Sequence, residues 1–217
     1  MTRLELVDTT LSTGGATRVL EVSTTIHQPG LTAIVGDNGS GKSSLLSLLA
    51  GQVAPTSGRV LLDGRPIQEV PPRQRATQVS WLAQSTPGAD TFAVRDVVGW
   101  GTTAAHRKEN ATTVPTSDQA LEQFGLAHLS DAPLGSLSGG ERQRVHLARV
   151  WVQAAPITLL DEPDANLDVE ARRFLRTMIE GKVHHGHAIV IVTHDRAWAN
   201  DAADHVWVMQ AGRLIAQ

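Results

Sequence analysis

Gly36-Asp37-Asn38-Gly39-Ser40-Gly41-Lys42-Ser43 follows the pattern G-x-x-x-x-G-K-[ST], in which glycines let a backbone bend closely round an anion before a lysine and a hydroxyl. Ahead of it, Leu31-Thr-Ala-Ile-Val35 is a short apolar run that predicts a buried strand. Behind it, Ser44-Leu-Leu-Ser-Leu-Leu-Ala50 predicts a helix stopped by Gly51. Strand, glycine loop, helix is the order in which backbone N–H groups and a helix N-terminus converge on a phosphate. The competing reading is a glycine-rich turn that matches by accident, and the two flanks weigh against it. Lys42 is then placed to reach β- and γ-phosphates, and the Ser43 hydroxyl to ligate Mg²⁺.

The chain of 217 residues is long enough for one large domain, or a domain with a subdomain, around a sizeable core. Its net charge of −3 argues against a general nucleic-acid binder, so no nucleic-acid partner is expected. With no cysteine there is no disulfide framework and no thiolate metal site. No apolar run approaches the roughly 18 residues that span a bilayer, and Met1-Thr-Arg-Leu-Glu5 lacks the apolar core of a signal peptide. Any service to a membrane is expected to run through a partner.

Upstream of the glycine loop, Leu4-Glu-Leu-Val7 and Val19-Leu-Glu-Val22 alternate apolar and polar, with breaks at Ser12-Thr-Gly-Gly15 and Pro29-Gly30. That predicts an antiparallel β portion feeding the strand at Leu31. Downstream come a turn at Pro55–Gly58, a strand and turn over Val60–Gly64, and a strand Val79–Ala83 ending at Gln84. A helical region opens at Val94-Arg-Asp-Val-Val98; Thr102 to Asp118 is polar and threonine-rich and predicts an exposed connection; helix resumes at Ala120–Gly125. From Gly140 the rhythm is α/β: helix Glu141–Gln153, strand Ile157–Leu160, helix Val169–Gly181, strand Ala188–Val192, and a strand Val206–Met209 closing the sheet before Gly212. In the second helix Ala171, Phe174, Leu175 and Met178 fall at i, i+3, i+4 and i+7. Continuous apolar strands alternating with helices imply a mainly parallel sheet covered on both faces.

A phosphate loop needs a carboxylate from a neighbouring strand to hold the metal, and Ile157-Thr-Leu-Leu-Asp161-Glu162 supplies one at Asp161. Glu162, the next residue, can point elsewhere and act as general base on the attacking water. The plainer reading of two acids after a strand is a helix N-cap. Leu137-Ser138-Gly139-Gly140-Glu141 opens an amphipathic helix, a second set of free N–H groups fit for an anion, or a plain serine cap. One nucleotide cannot obviously use both helix ends inside one small domain. A head-to-tail pair of chains with two nucleotides at the interface would use both, and that geometry closes by two-fold symmetry. His184-His-Gly-His187 reads as a solvated turn, and the tryptophans as core or partner-facing anchors.

Taken in order, these stretches make the chain resemble the ATP-binding subunit of an ABC transporter along nearly its whole length. The resemblance implies an α/β P-loop NTPase core with a mainly parallel sheet flanked by helices. It adds an N-terminal antiparallel β portion and a helical subdomain inserted over approximately residues 86–150 of a single 1–217 domain. It makes Gly36, Asp37, Asn38, Gly39, Ser40, Gly41, Lys42, Ser43 and Ser44 the Walker A contacts to ATP, Asp161 the Walker B aspartate and Glu162 the catalytic glutamate. Gln84 matches the Q-loop glutamine that senses Mg²⁺ and faces the membrane partner. Ser138, Gly139 and Gly140 match the signature that contacts the γ-phosphate held by the opposite subunit. Asp168 in Ala165-Asn-Leu-Asp168 falls in the D-loop, and His194 in Val192-Thr-His-Asp195 matches the switch histidine. The chain departs from the family at the adenine: there is no tyrosine at all, and Thr13 stands where the family places an aromatic ring. Arg18 could stack its guanidinium on the base instead.

Val94-Arg-Asp-Val-Val-Gly-Trp-Gly101 and Ala148-Arg-Val-Trp-Val-Gln153 are similar to the corresponding stretches of importers of iron–siderophore complexes, haem and cobalamin. The other readings are an importer of another small solute, an exporter subunit, or a soluble ABC ATPase. By the resemblance the partners are a second copy of the chain, an integral membrane permease and a substrate-binding protein acting with it. The place is the cytoplasmic face of the cell membrane.

Overall fold

The computed structural model describes residues 1–83, 88–105 and 115–216. β1 (Leu4–Thr13) and β2 (Ala16–Ile26) form an antiparallel hairpin; β3 (Gly30–Val35) leads into α1 (Lys42–Leu49). Then come β4 (Ser57–Leu62), β5 (Arg65–Pro66), α2 (Pro72–Ala76) and β6 (Val79–Leu82). α3 (Val94–Ala105), α4 (Ser117–Gln123) and α5 (Gly139–Val152) separate β6 from β7 (Ile157–Asp161). The chain finishes with α6 (Val169–His184), β8 (Ala188–Val192), α7 (Arg196–Ala202), β9 (His205–Gln210) and β10 (Arg213–Ala216). Among the described residues one sheet has the order β2-β1-β4-β5 and the other β10-β9-β3-β8-β7-β6. The second is parallel apart from its β9–β10 pair.

The continuous apolar runs are explained by burial on both faces. Along β3, Leu31, Ala33 and Val35 face one core while Ile34 faces the other; along β8, Ile189 and Ile191 alternate with Ala188, Val190 and Val192. That is the two-residue period of a strand with apolar partners on either side. One core holds the antiparallel sheet and α1, whose Leu45, Leu46, Leu48 and Leu49 are all fully buried. Burying these leucines between the antiparallel sheet and β7 contributes about 1.5–3 kcal/mol each, while Ser43, Ser44 and Ser47 stay half-buried along the rest of the helix. The other core gathers α3 to α7, including the Leu175 of the predicted α6 stripe with Ala171, Phe174 and Met178 at its edge.

Two expectations are corrected. The predicted connection Thr102–Asp118 is helical at both ends: α3 runs on to Ala105, and α4 starts at Ser117 behind a reciprocal Thr116–Gln119 capping box. The part over 106–114 lies outside the described residues. Val94, Val97 and Val98, all buried, make the first half of α3 legible; its last turn was hidden because it packs on α5 through Gly101. A Cβ on Gly101 would sit 2.0 Å from the Arg149 carbonyl of α5, so the two backbones touch where a periodic pattern would show nothing. The strand at Val206–Met209 does not close the sheet either. Ala211 and Gly212 both take positive φ, 48° and 80°, making the tight turn that returns β10 along its outer edge.

His146, on the buried face of α5, is 7% exposed and its Nδ1 has no partner among the described residues. Burial first, then Arg149 and Arg142, lowers its pKa from 6.5 to about 4. Since the unfolded chain takes up this proton below 6.5 and the folded one only near 4, stability is full at neutral pH and is lost as pH falls between them. The loss reaches about 2 kcal/mol at pH 5, or about 4–8 °C in Tm. His146→Leu is expected to remove that part of the acid sensitivity, measured as the difference in Tm between pH 7.5 and pH 5 for the two proteins. Equal differences would refute it.

Candidate functional site

The loop between β3 and α1 is shaped by what presses on it. Gly36 has φ 152° and Gly41 φ 109°; a Cβ would lie 2.3 Å from the Met209 carbonyl at the first and 2.1 Å from the Arg18 carbonyl at the second. Only glycine fits at either place. The Gly212 N–H, in the turn after β9, donates to the Ser40 carbonyl at 3.0 Å and braces the loop from below. Lys42 is 5% exposed and its Nζ donates to the carbonyls of Gly36 and Asp37 at 2.8 and 2.9 Å. Asp37, Asn38 and Gly39 are exposed at the loop's crest.

β7 delivers Asp161 beside it. The Ser43 hydroxyl donates to Asp161 Oδ1 at 3.2 Å. Asp161 is 3% exposed, and burial raises its pKa above the ordinary carboxylate range, against the opposing Ser43 bond. A buried carboxylate and a hydroxyl offering hard oxygens fit a small divalent cation. Ser40 Oγ, buried and without a partner among the described residues, is a further polar atom that a phosphate oxygen would satisfy. The Asp161-Glu162 pair is not a helix cap; the cap of α6 is Asp168, which accepts from the Ala171 N–H at 2.8 Å. Glu162 lies just past β7 with φ 49°, a left-handed conformation rare in a non-glycine residue. Its Oε1 is 3.0 Å from His194 Nε2, which approaches from the loop after β8.

Arg18, Asn38, Gly39, Gly41, Lys42, Ser43, Ser44, Glu162 and His194 line one cavity of about 340 Å³. A neighbouring cavity of about 300 Å³ has Gly36, Asp37, Asn38, Thr193, His194 and Arg196 on its walls. Thr13 is exposed at the end of β1 and is not in either lining. Every tryptophan and phenylalanine lies among the described residues, and none lines the first cavity. Gln84 lies outside the described residues. Ser138, Gly139 and Gly140 are not gathered with the loop. Ser138 caps α5 in a reciprocal box with Glu141, and the glycines rest against Asn166. The Ser138 bonds hold the Glu141 carboxyl below its usual range. Thr193, Asp164 and Arg196 were not singled out from the sequence. Thr193 donates to Asp164 Oδ2 at 3.0 Å, a contact between separate loops that no local pattern announces.

Residues 19–165 match the family described as ABC transporter. The chain is 40% identical over 210 residues to the hemin import ATP-binding protein HmuV of Rhodopseudomonas palustris, covering 93% of this chain and 77% of that protein. It is 35% identical over 210 residues to the protein of the same name from Pseudomonas entomophila, covering 93% and 81%. Among solved structures, an ATP-binding subunit of an ABC transporter matches with a TM-score of 0.87 at 21% identity, over 99% of this chain and 89% of that one. A nucleotide-free ATP-binding cassette gives 0.80 at 23%, over 100% and 90%. At those identities the structures speak for the fold, the P-loop α/β architecture expected from the sequence. Family match and identity along nearly the full length converge: the chain belongs to the ABC transporter family.

Proposed function

We propose that this chain drives a haem importer, two copies closing head to tail on two Mg·ATP beneath an integral membrane permease served by a substrate-binding protein. The observation that carries the solute is the identity to hemin import subunits along nearly the whole chain. The paired arrangement is supported by the distance in role between the two glycine motifs. The Walker A cavity is lined without any of Ser138, Gly139 or Gly140; Ser138 and Gly139, exposed at the start of α5, are open to a second chain's nucleotide. Gly36 to Ser44 cradle the phosphates, Lys42 takes the β- and γ-oxygens, and Ser43 and Asp161, with Gln84, would hold Mg²⁺. The Mg²⁺ ion, when bound, neutralises charge on the β- and γ-oxygens. Glu162 accepts the proton of the attacking water, and His194 hydrogen-bonds the γ-phosphate. Binding favours the closed pair, and hydrolysis withdraws that preference.

The helical segment between β6 and β7 is the permease-facing subdomain in this reading. A groove of about 510 Å³ borders it, lined by Pro72, Arg75 and Ala76 of α2, Val79 and Trp81 of β6, and Arg149 and Gln153 at the end of α5. No helix among the described residues is long and apolar enough to cross a membrane; in this reading the permease holds the chain at the cytoplasmic face. Adenine is held by Arg18, which lines the same cavity as Lys42 and Ser43. Arg18→Ala is expected to raise the Kd for ATP about fivefold, and an unchanged Kd would remove Arg18 from the site. For the function itself, a cell lacking this chain should take up no hemin while ferrous iron uptake continues. The wild-type chain should restore hemin uptake and Glu162→Gln should not. Normal hemin uptake in the deletion strain would overturn the haem assignment.

A further inference from the structure

His194 is more than half exposed, so little packs directly against its ring; its place is set by the backbone of Thr193 and Asp195. Both neighbours are tied to the stretch that begins at Glu162. Thr193 Oγ1 donates to Asp164 Oδ2, and the Asp195 N–H donates back to Thr193 Oγ1 at 3.1 Å. On the other side Asp195 caps α7 through the Trp198 N–H at 3.0 Å, and its second oxygen accepts from Arg176 at 2.6 Å. Arg176 sits in α6 with its guanidinium 5.0 Å from the centre of the Trp198 ring. The Trp198 N–H bond, and after it the Arg176 bond, keep the Asp195 carboxyl below its usual range, so it is a charged acceptor at neutral pH.

We propose that Arg176 is a positioning residue for the switch histidine, fastening the loop that carries His194 to the helix that follows Glu162. α6 is continuous with the Glu162 loop through its cap at Asp168, so Arg176 locks His194 to the element that also places Glu162. The His194–Glu162 contact at 3.0 Å joins two separate loops, and Asp164 fastens only the Thr193 side. The Arg176–Asp195 pair is about a third exposed on each side. Such a pair contributes little to global stability, so its removal should show in turnover rather than in melting. This rests on His194 acting at the γ-phosphate.

The test is single-turnover ATP hydrolysis by the full chain for Arg176→Gln, Arg176→Lys, His194→Ala and the double variant Arg176→Gln/His194→Ala, with Tm for each. Arg176→Gln is expected to slow hydrolysis about tenfold at unchanged KM for Mg·ATP and unchanged Tm. Arg176→Lys should recover part of the loss, because it keeps the charge without the planar fork. In the His194→Ala background Arg176→Gln should cost nothing further. An unchanged rate in Arg176→Gln, with His194→Ala slow, overturns the proposal alone. So does an equal loss in both backgrounds, or a loss that follows a falling Tm. A His194→Ala protein with the wild-type rate overturns the role of His194 and this proposal with it.

Discussion

Glu162→Gln is expected to slow ATP hydrolysis about 10²–10⁴-fold and to leave ATP binding intact. Glutamine has the shape of glutamate and keeps an oxygen able to accept from His194 Nε2, which lies 3.0 Å from Glu162 Oε1. The left-handed backbone at this position, φ 49°, is no worse for glutamine than for glutamate. What disappears is the capacity to take a proton from water. The phosphate cradle, Lys42 and the Ser43–Asp161 pair are untouched, so the Kd for Mg·ATP should stay within about threefold of wild type. With ATP bound and not consumed, the closed pair should accumulate: light scattering with Mg·ATP should report twice the monomer mass for the variant and a smaller dimer fraction for wild type. A variant that hydrolyses ATP within about threefold of wild type would remove Glu162 as general base. A slow variant that also fails to bind ATP would point to a structural role instead.

The site was legible in the sequence where its chemistry is carried by contiguous residues on one loop or strand end. Gly36 to Ser43 and Asp161-Glu162 are short, ordered by backbone geometry, and flanked by runs whose burial on both faces leaves an unbroken apolar signature, as in β3 and β8. What stayed hidden depends on contacts between distant elements. Nothing near Thr193 announces Asp164, and nothing in α6 announces that Arg176 turns toward Asp195; both partners come from chain far away in sequence. The last turn of α3 escaped for a related reason. Its Gly101 contributes a close backbone approach to α5, and a periodicity argument counts apolar side chains, not their deliberate absence. Ser138 shows how a motif can hold two readings at once. Its side chain and N–H make a reciprocal box with Glu141, the plain capping role, while the flanking Gly139 remains exposed. Capping aligns the helix end for an anion, so the structural role and the proposed binding role support one another.

Lys42→Ala is expected to raise the Kd for Mg·ATP about 10²–10³-fold and to abolish measurable turnover. The expected size follows from how Nζ is used. An ammonium has three donors; two go to the Gly36 and Asp37 carbonyls, and one is left to meet a phosphate oxygen. The lysine therefore does two things at once: it ties the crest of the loop back over its own helix, and it brings a positive charge that is only 5% exposed to the place where the phosphates arrive. Alanine removes the charge-assisted bond to phosphate, worth about 1.5–3 kcal/mol, and also frees the loop, so that ordering must come from binding energy. Lys42→Arg tests the second part. The guanidinium keeps the charge, but it is planar and larger than the space Nζ occupies, and it cannot make the same compact pair of bonds to the loop carbonyls. It should therefore recover only part of the affinity. Titration calorimetry with ATP, ADP and AMP separates the contributions. If Lys42 contacts the β- and γ-phosphates, the loss should be largest for ATP, smaller for ADP and slight for AMP. An equal loss for all three would make Lys42 a brace for the loop and not a ligand. A Kd for ATP within about threefold of wild type would refute both roles.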